Sequence, residues 1–175
     1  MADIKTSEHQ RGDQSRQVLT FVLGSETYGV DILRVQEIRG WSAVTKIPHA
    51  PTHVLGVLNL RGSIVPIVDL RMRFALEHAE YTAVTVIIVM SVMTATGRRD
   101  FGVVVDGVSD VVDVDVADIK PAPELGTGGL TDYLLGLVTV AERMVVLLDI
   151  DQLIGRDLTG MAGTDEATAT AADAA

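Results

Sequence analysis

Short apolar runs, broken by Gly, Pro and charged residues, recur along the chain and predict strands rather than long helices. Gln17–Leu23 reads as a first strand, followed by the turn Gly24-Ser25-Glu26 and a second strand from Thr27. Asp31–Arg34 predicts a short helical turn, and Val35–Arg39 alternates as a half-exposed strand does. Thr45–Thr52 carries Pro48 and Pro51 and is an irregular connection that cannot join a sheet interior. Residues 53–74, HVLGVLNLRGSIVPIVDLRMRF, form two apolar runs around a polar Arg61-Gly62 tip, a hairpin signature, and then a helical turn. Strands follow at Val84–Val92 and Phe101–Asp106, flanking a polar loop Thr94–Asp100, and another near Val108–Val114. Lys120–Thr131, rich in Pro and Gly, is a long surface loop.

The hairpin then returns. Residues 133–154, YLLGLVTVAERMVVLLDIDQLI, match 53–74 at a constant offset of 80, with Gly136 on Gly56, Asp149 on Asp69 and a second polar tip at Glu142-Arg143. Either Asp is placed to cap the helical segment that follows it. Tyr28–Ile38 lines up with Phe101–Val111, and Val18–Gly24 with Val84–Met90. Self-similarity on this scale predicts two copies of a five-strand unit, hence an all-β chain of two packed five-stranded barrels related by an internal repeat, with short helical turns. Ile64–Val68 is apolar on both faces and must be covered by the other barrel, a partner, or both. The expected organisation is a disordered tail at 1–15, one barrel over about 16–77, the other over about 78–155 with strand exchange between them left open, and a disordered tail at 156–175.

Composition narrows the chemistry. Hydrophobic residues make up 47% and aromatics only 4%, so the core is built of Val, Leu and Ile. The chain has no cysteine, which excludes a thiol nucleophile, a disulfide framework and thiolate metal sites and fits a reducing compartment. Neither a signal peptide nor an apolar run of membrane-spanning length is visible, so the expected location is cytosolic without membrane insertion. The net charge of −10 is uneven: residues 16–74 carry about +3 and residues 75–155 about −9. Such polarity either favours head-to-tail contact with a similar module or a charged partner or simply keeps solvated faces soluble, and no basic stripe with interleaved aromatics marks a nucleic-acid surface.

Candidate catalytic features are weak. Asp69 and Asp149 at equivalent positions suggest a shared-proton carboxylate pair of a hydrolase, but each also sits where a helix cap is wanted, which is the favoured reading. Asp106, Asp110, Asp113, Asp115 and Asp118 lack a Gly-kinked ligand loop, so no metal is expected. His9, His49, His53 and His78 share no motif, and Gly126-Thr-Gly-Gly129 is not followed by the Lys of a phosphate loop, so no cofactor is expected. What remains is apolar residues on half-exposed strands. Val35 and Ile38 flank Glu37; Val108 and Val111 flank Asp110. These strands either border a shared groove able to take an amphipathic helix or bury each other between the barrels.

TYGVDILRVQEIRG (27–40), GVLNLRGSIVPIVDLR (56–71), FGVVVDGVSDVV (101–112) and IKPAP (119–123) resemble the CheW family of bacterial chemotaxis coupling proteins, a likeness running from about Gln17 to Ile154. The same motifs occur in the regulatory domain of the histidine kinase CheA and in CheV, but no kinase or receiver domain accompanies them here. The resemblance implies SH3-like barrels and a non-catalytic adaptor that bridges the cytoplasmic tips of chemoreceptors to CheA, in arrays at the inner membrane. It implies a receptor surface of Val35, Glu37, Ile38, Gly56, Arg61, Val108 and Val111, with Glu37 pairing with Arg61, and a kinase surface of Val86, Ile88 and Gly102. Alternative readings are the Asp69/Asp149 hydrolase, a related scaffold of a non-chemotaxis system, and a structural dimer of barrels. Thr94–Arg99 looks longer than the family's usual loop.

Overall fold

The computed structural model describes residues 14–76, 80–123 and 131–155. Both expected tails (all but Gln14 and Ser15), the Gly126–Gly129 run and His78 lie outside the described residues. Ten strands follow in order: β1 (Ser15–Leu23), β2 (Glu26–Asp31), β3 (Val35–Gly40), β4 (Val54–Leu60), β5 (Ser63–Asp69), β6 (Val86–Thr94), β7 (Gly97–Val105), β8 (Gly107–Asp115), β9 (Leu134–Val140) and β10 (Arg143–Leu148). A one-turn helix α1 (Leu70–Arg73) follows β5, and a second helical stretch, residues 150–155, follows β10. The polar segment Thr94–Asp100 is not a loop. It extends β6 and β7 into a hairpin whose register runs to Thr94↔Gly97, closed by Thr94 Oγ1 donating to the Gly97 carbonyl at 2.7 Å.

The strands form two sheets, ordered β8-β1-β2-β10-β9 and β3-β6-β7-β5-β4. Replacing each strand of one sheet by the strand five later or earlier gives the other. The two copies have therefore exchanged strands reciprocally, each sheet taking the first two strands of one copy and the last three of the other. The sheets therefore do not divide the chain near residue 78: one is the consecutive run β3 to β7, and the other joins β1 and β2 to β8, β9 and β10. Each exchange is sealed by a parallel pair, β2 with β10 and β5 with β7. Both sheets are closed the same way: the chain after β3 bridges to β4 at Thr45↔Val57, and the chain after β8 bridges to β9 at Lys120↔Leu137.

The repeated hairpins match in backbone detail. The Asp69 amide donates to the His53 carbonyl and the Asp149 amide to the Tyr133 carbonyl, each at 2.8 Å. Their turns have positive φ at both central residues, 54° and 87° at Arg61-Gly62 and 48° and 66° at Ala141-Glu142. The second tip is thus Ala141-Glu142, one residue earlier than Glu142-Arg143. The β1/β6 equivalence also shifts. Phe21 pairs with Tyr28 as Met90 pairs with Phe101, so Gly24 corresponds to Met93 rather than to Met90.

Three apolar clusters hold the molecule. Each barrel encloses a small one, Val18, Val114, Val138, Val145 and Leu147 in one and Val65, Ile67, Ile87, Val89 and Val104 in the other. These interiors are tight: a Cβ at Gly29 would stand 2.5 Å from Val18 Cγ1, and one at Gly102 2.5 Å from Ile67 Cδ1. The largest cluster, sixteen buried residues including Leu19, Phe21, Ile88, Met90, Phe101 and Leu148, lies between the sheets. At about 1.5–3 kcal/mol for each fully buried large apolar side chain, this shared core contributes more than either barrel interior. The other sheet covers the second apolar face only in part: Ile88, Met90, Phe101 and Val103 lie in the shared core, whereas Ile64 and Met144, equivalent positions on the outer faces of β5 and β10, are 63% and 58% exposed.

Candidate docking surface

β3 and β8 are edge strands, one in each sheet, and each begins just after the chain crosses between sheets. Both carry a bulge at the same place: β3 shifts register against β6 between Val35 and Glu37, and β8 shifts against β1 where Leu19 gives way to Phe21. A bulge re-aims side chains, so positions three apart need not face opposite ways as they would in a regular strand. Val35 and Val108 are half-buried and pack against the shared core, while Ile38 and Val111 are 45% and 50% exposed. Beside them in the sheet the ladder partners are buried: Ile38 pairs with Ile88, and Val111 with Leu19. Thr20, itself buried, donates to the Asp110 carbonyl at 2.9 Å and accepts from the Asp110 amide at 3.0 Å, which satisfies the bulged backbone of β8.

Glu37 and Arg61 approach to 3.5 Å, joining β3 to the tip of the β4–β5 hairpin. Arg61 is 86% exposed, so solvent screening leaves this pair near the low end of ~0–1 kcal/mol. Gly56 is different. It is buried, its φ is +147°, and a Cβ there would lie 2.1 Å from the Thr45 carbonyl oxygen. It lets the closing segment lie on β4 and does not belong to an exposed surface. Of the kinase-side candidates, Val86 is half-buried, whereas Ile88 is fully buried in the shared core and Gly102 faces the barrel interior. Ile88 and Gly102 have no surface to offer a partner. The residues missed from sequence are those supplied by exchange, Leu19 and Thr20 beside β8 and Met90 beside β3, and no local signal marks them.

The two repeated carboxylates have separate partners. Asp69 is fully buried and accepts from the Arg71 amide, Arg71 Nε and Nη2 and the Tyr81 hydroxyl, all at 3.0 Å. Arg71 also donates to Asp106 at 3.0 Å and to the Glu80 carbonyl at 2.8 Å. Tyr81, stacked on Trp41 at 4.1 Å, has its hydroxyl pushed up to about 12 by burial and by the Asp69 charge. Asp149 accepts from the Gln152 amide at 3.2 Å, as a cap does. No hydrogen bond joins Asp69 to Asp149 among the described residues, and Asp69 is saturated by an ion pair and a phenol. Neither carboxylate is arranged to activate water with the other. Among the described residues no group of three His, Asp or Glu could hold a metal, and Asp115 of the acidic run caps the turn after β8 by accepting from the Ala117 amide.

Comparison with known proteins agrees with this geometry. The CheW-like domain family matches residues 17–158. The chain belongs to the CheW family. It is 46% identical over 158 residues to the chemotaxis protein CheW of Klebsiella aerogenes, covering 90% of this chain and 93% of that one. It is 39% identical over 138 residues to CheW of Rhizobium meliloti, covering 79% and 86%. Among solved structures, the scaffolding protein TtCheW of Thermoanaerobacter tengcongensis superposes with a TM-score of 0.71 at 30% identity, over 79% of this chain and 91% of that one. CheW proteins are chemotaxis coupling scaffolds, and the exchanged two-barrel architecture with its bulged edge strands is how this member of the CheW family builds its body. No helix among the described residues is long and apolar enough to cross a membrane.

Proposed function

We propose that the chain couples the cytoplasmic tips of chemoreceptors to the regulatory domain of the kinase CheA, recruited to receptor arrays at the inner membrane, and that it acts by binding alone. The observation that carries this reading is the pair of bulged edge strands, each leaving one aliphatic residue half-exposed (Ile38, Val111) beside a buried ladder partner. An amphipathic receptor helix is the partner such paired apolar positions fit, with Glu37 and Arg61 beside them to set its orientation. Val35 and Val108 support the surface from below, and Val86 is the kinase-side candidate with surface to give.

Val111→Asp tests it. A carboxylate desolvated without a partner costs about 1–3 kcal/mol or more, so receptor-fragment affinity is expected to fall at least about fivefold. The melting temperature should move little, because Val111 is half-exposed. Undiminished affinity in a pull-down with a purified receptor-tip fragment would remove β8 from the surface.

A further inference from the structure

The two crossings between barrels are each held by a carboxylate, and the two are not alike. On one side Asp106, at the start of the β7-to-β8 crossing, accepts from the Gly24 amide at 2.6 Å and from Arg71 Nη1 at 3.0 Å. On the other, Asp151, in residues 150–155, accepts from the Met93 amide at 2.9 Å and from Arg34 Nη2 at 2.6 Å. Gly24 and Met93 are equivalent strand ends, and Arg71 and Asp151 lie 80 residues apart at matching helical positions. The charge order is inverted: the helical residue gives the cation on one side and the anion on the other. Both contacts tie the helical segment after a repeated hairpin to the crossing turn and to the end of the first strand of a copy.

They differ in the burial and number of partners of the arginine. Asp106 is 35% exposed, as open as Asp151, but Arg71 is 3% exposed and is held by Asp69, Asp106 and the Glu80 carbonyl together. Arg34 and Asp151 are 33% and 30% exposed and share one short bond. Arg16, Asp31 and Asp149 line the same cleft of about 190 Å³, so water and ions reach the pair and other charges stand near it. Arg34 closes the crossing turn Ile32–Arg34, and the next residue is Val35, the first of β3. The turn's other end is fixed by Asp31, whose Oδ1 accepts from the Leu33 amide at 2.9 Å.

We infer that the Arg34–Asp151 pair is a positioning element of the docking surface, a solvent-screened latch that holds the start of β3 against the end of β6 and leaves β3 the adjustable wall while β8 stays locked. This rests on the proposed reading of β3 as a partner-binding strand. A pair this exposed shifts an equilibrium by only a small factor, so each of Arg34→Gln and Asp151→Asn should weaken receptor-fragment binding by about two- to fivefold at low salt. The Asn carbonyl can still accept from the Met93 amide, so the fold is preserved. The double variant should be no weaker than either single one, because one interaction is lost in all three.

The test is calorimetric titration of the full chain with a receptor-tip fragment, at low and high salt, for wild type, R34Q, D151N and R34Q/D151N, with V111D alongside. Amide hydrogen exchange is measured on the free proteins. Support is a non-additive loss that shrinks at high salt, with faster exchange at residues 35–38 in D151N and unchanged exchange at 108–111. Exchange at 35–38 that matches wild type, or additive losses, overturns the latch even if V111D abolishes binding. If V111D binds normally, the docking reading has failed instead, and faster exchange at 35–38 would then leave the latch as a feature of the fold alone, without a role in binding.

Discussion

At the residue scale, two side-chain positions show how little freedom the barrels leave. Gly56 holds φ +147° under the Thr45 carbonyl, where any Cβ would collide with backbone rather than with a side chain able to move. Gly56→Ala is therefore expected to lower stability by more than about 1 kcal/mol, and Gly56→Asp to lose the folded state, with any loss of partner binding explained by unfolding. A thermal melt combined with binding per folded molecule checks this; a normal melt with lost binding would return Gly56 to the surface. Tyr81 sets a pH limit. Burial and Asp69 raise its hydroxyl from an ordinary 10.0 to about 12, so the folded state holds the proton more tightly than the unfolded chain. Its contribution is complete below pH 10 and is lost as pH rises from about 10 to about 12. Tyr81→Phe should flatten the alkaline fall in stability over that window, measured by denaturant titration at stepped pH; an unchanged slope would remove Tyr81 as its source.

At the element scale, the repeated hairpins solve one turn with different residues. Both have positive φ at their two central positions; Arg61-Gly62 places a Gly there, while Ala141-Glu142 places two L-residues that resist it. Ala141→Asn with Glu142→Gly should stabilise the chain by about 0.5–2 kcal/mol, read as a higher denaturation midpoint at unchanged slope. An unchanged or lower midpoint would mean that the surrounding strands already impose this turn at no cost. The hairpins, their closing Asp caps and the half-exposed β3 were legible because turn, cap and alternation are local signals. The bulges in β3 and β8 were not, since a bulge is a mismatch between two strands and neither strand alone records it. The polar 94–100 segment misled for a related reason: an exposed hairpin end needs no apolar alternation to stay paired.

At the scale of the molecule, reciprocal exchange gives each half of the chain an incomplete share of both sheets. Fragments 1–79 and 80–175 should each lack cooperative unfolding as monomers and should form a folded one-to-one complex when mixed, measured by sedimentation and circular dichroism. A half that melts cooperatively alone as a monomer would show that exchange is not needed for stability. Exchange also redistributes charge. Among the described residues, the barrel of β3–β7 holds seven Lys/Arg and four Asp/Glu, and the other four and eleven, so the two barrels carry opposite sign. This polarity orients a partner along the molecule, acting on encounter more than on affinity.

The chain by itself determined the number and kind of strands, the repeat, the hairpin tips to within a residue, the caps and the family. Each of these is written in neighbours close in sequence, where backbone sterics and side-chain period act directly. Which copy's strand lies beside which was decided only in three dimensions. Two similar copies offer each strand chemically equivalent partners, so the choice falls to the shared core, which must be closed from both sides at once. That choice moved Ile88 and Gly102 from expected surface to interior and brought Arg34 to Asp151, while Gly56 is covered by Thr45 of its own copy.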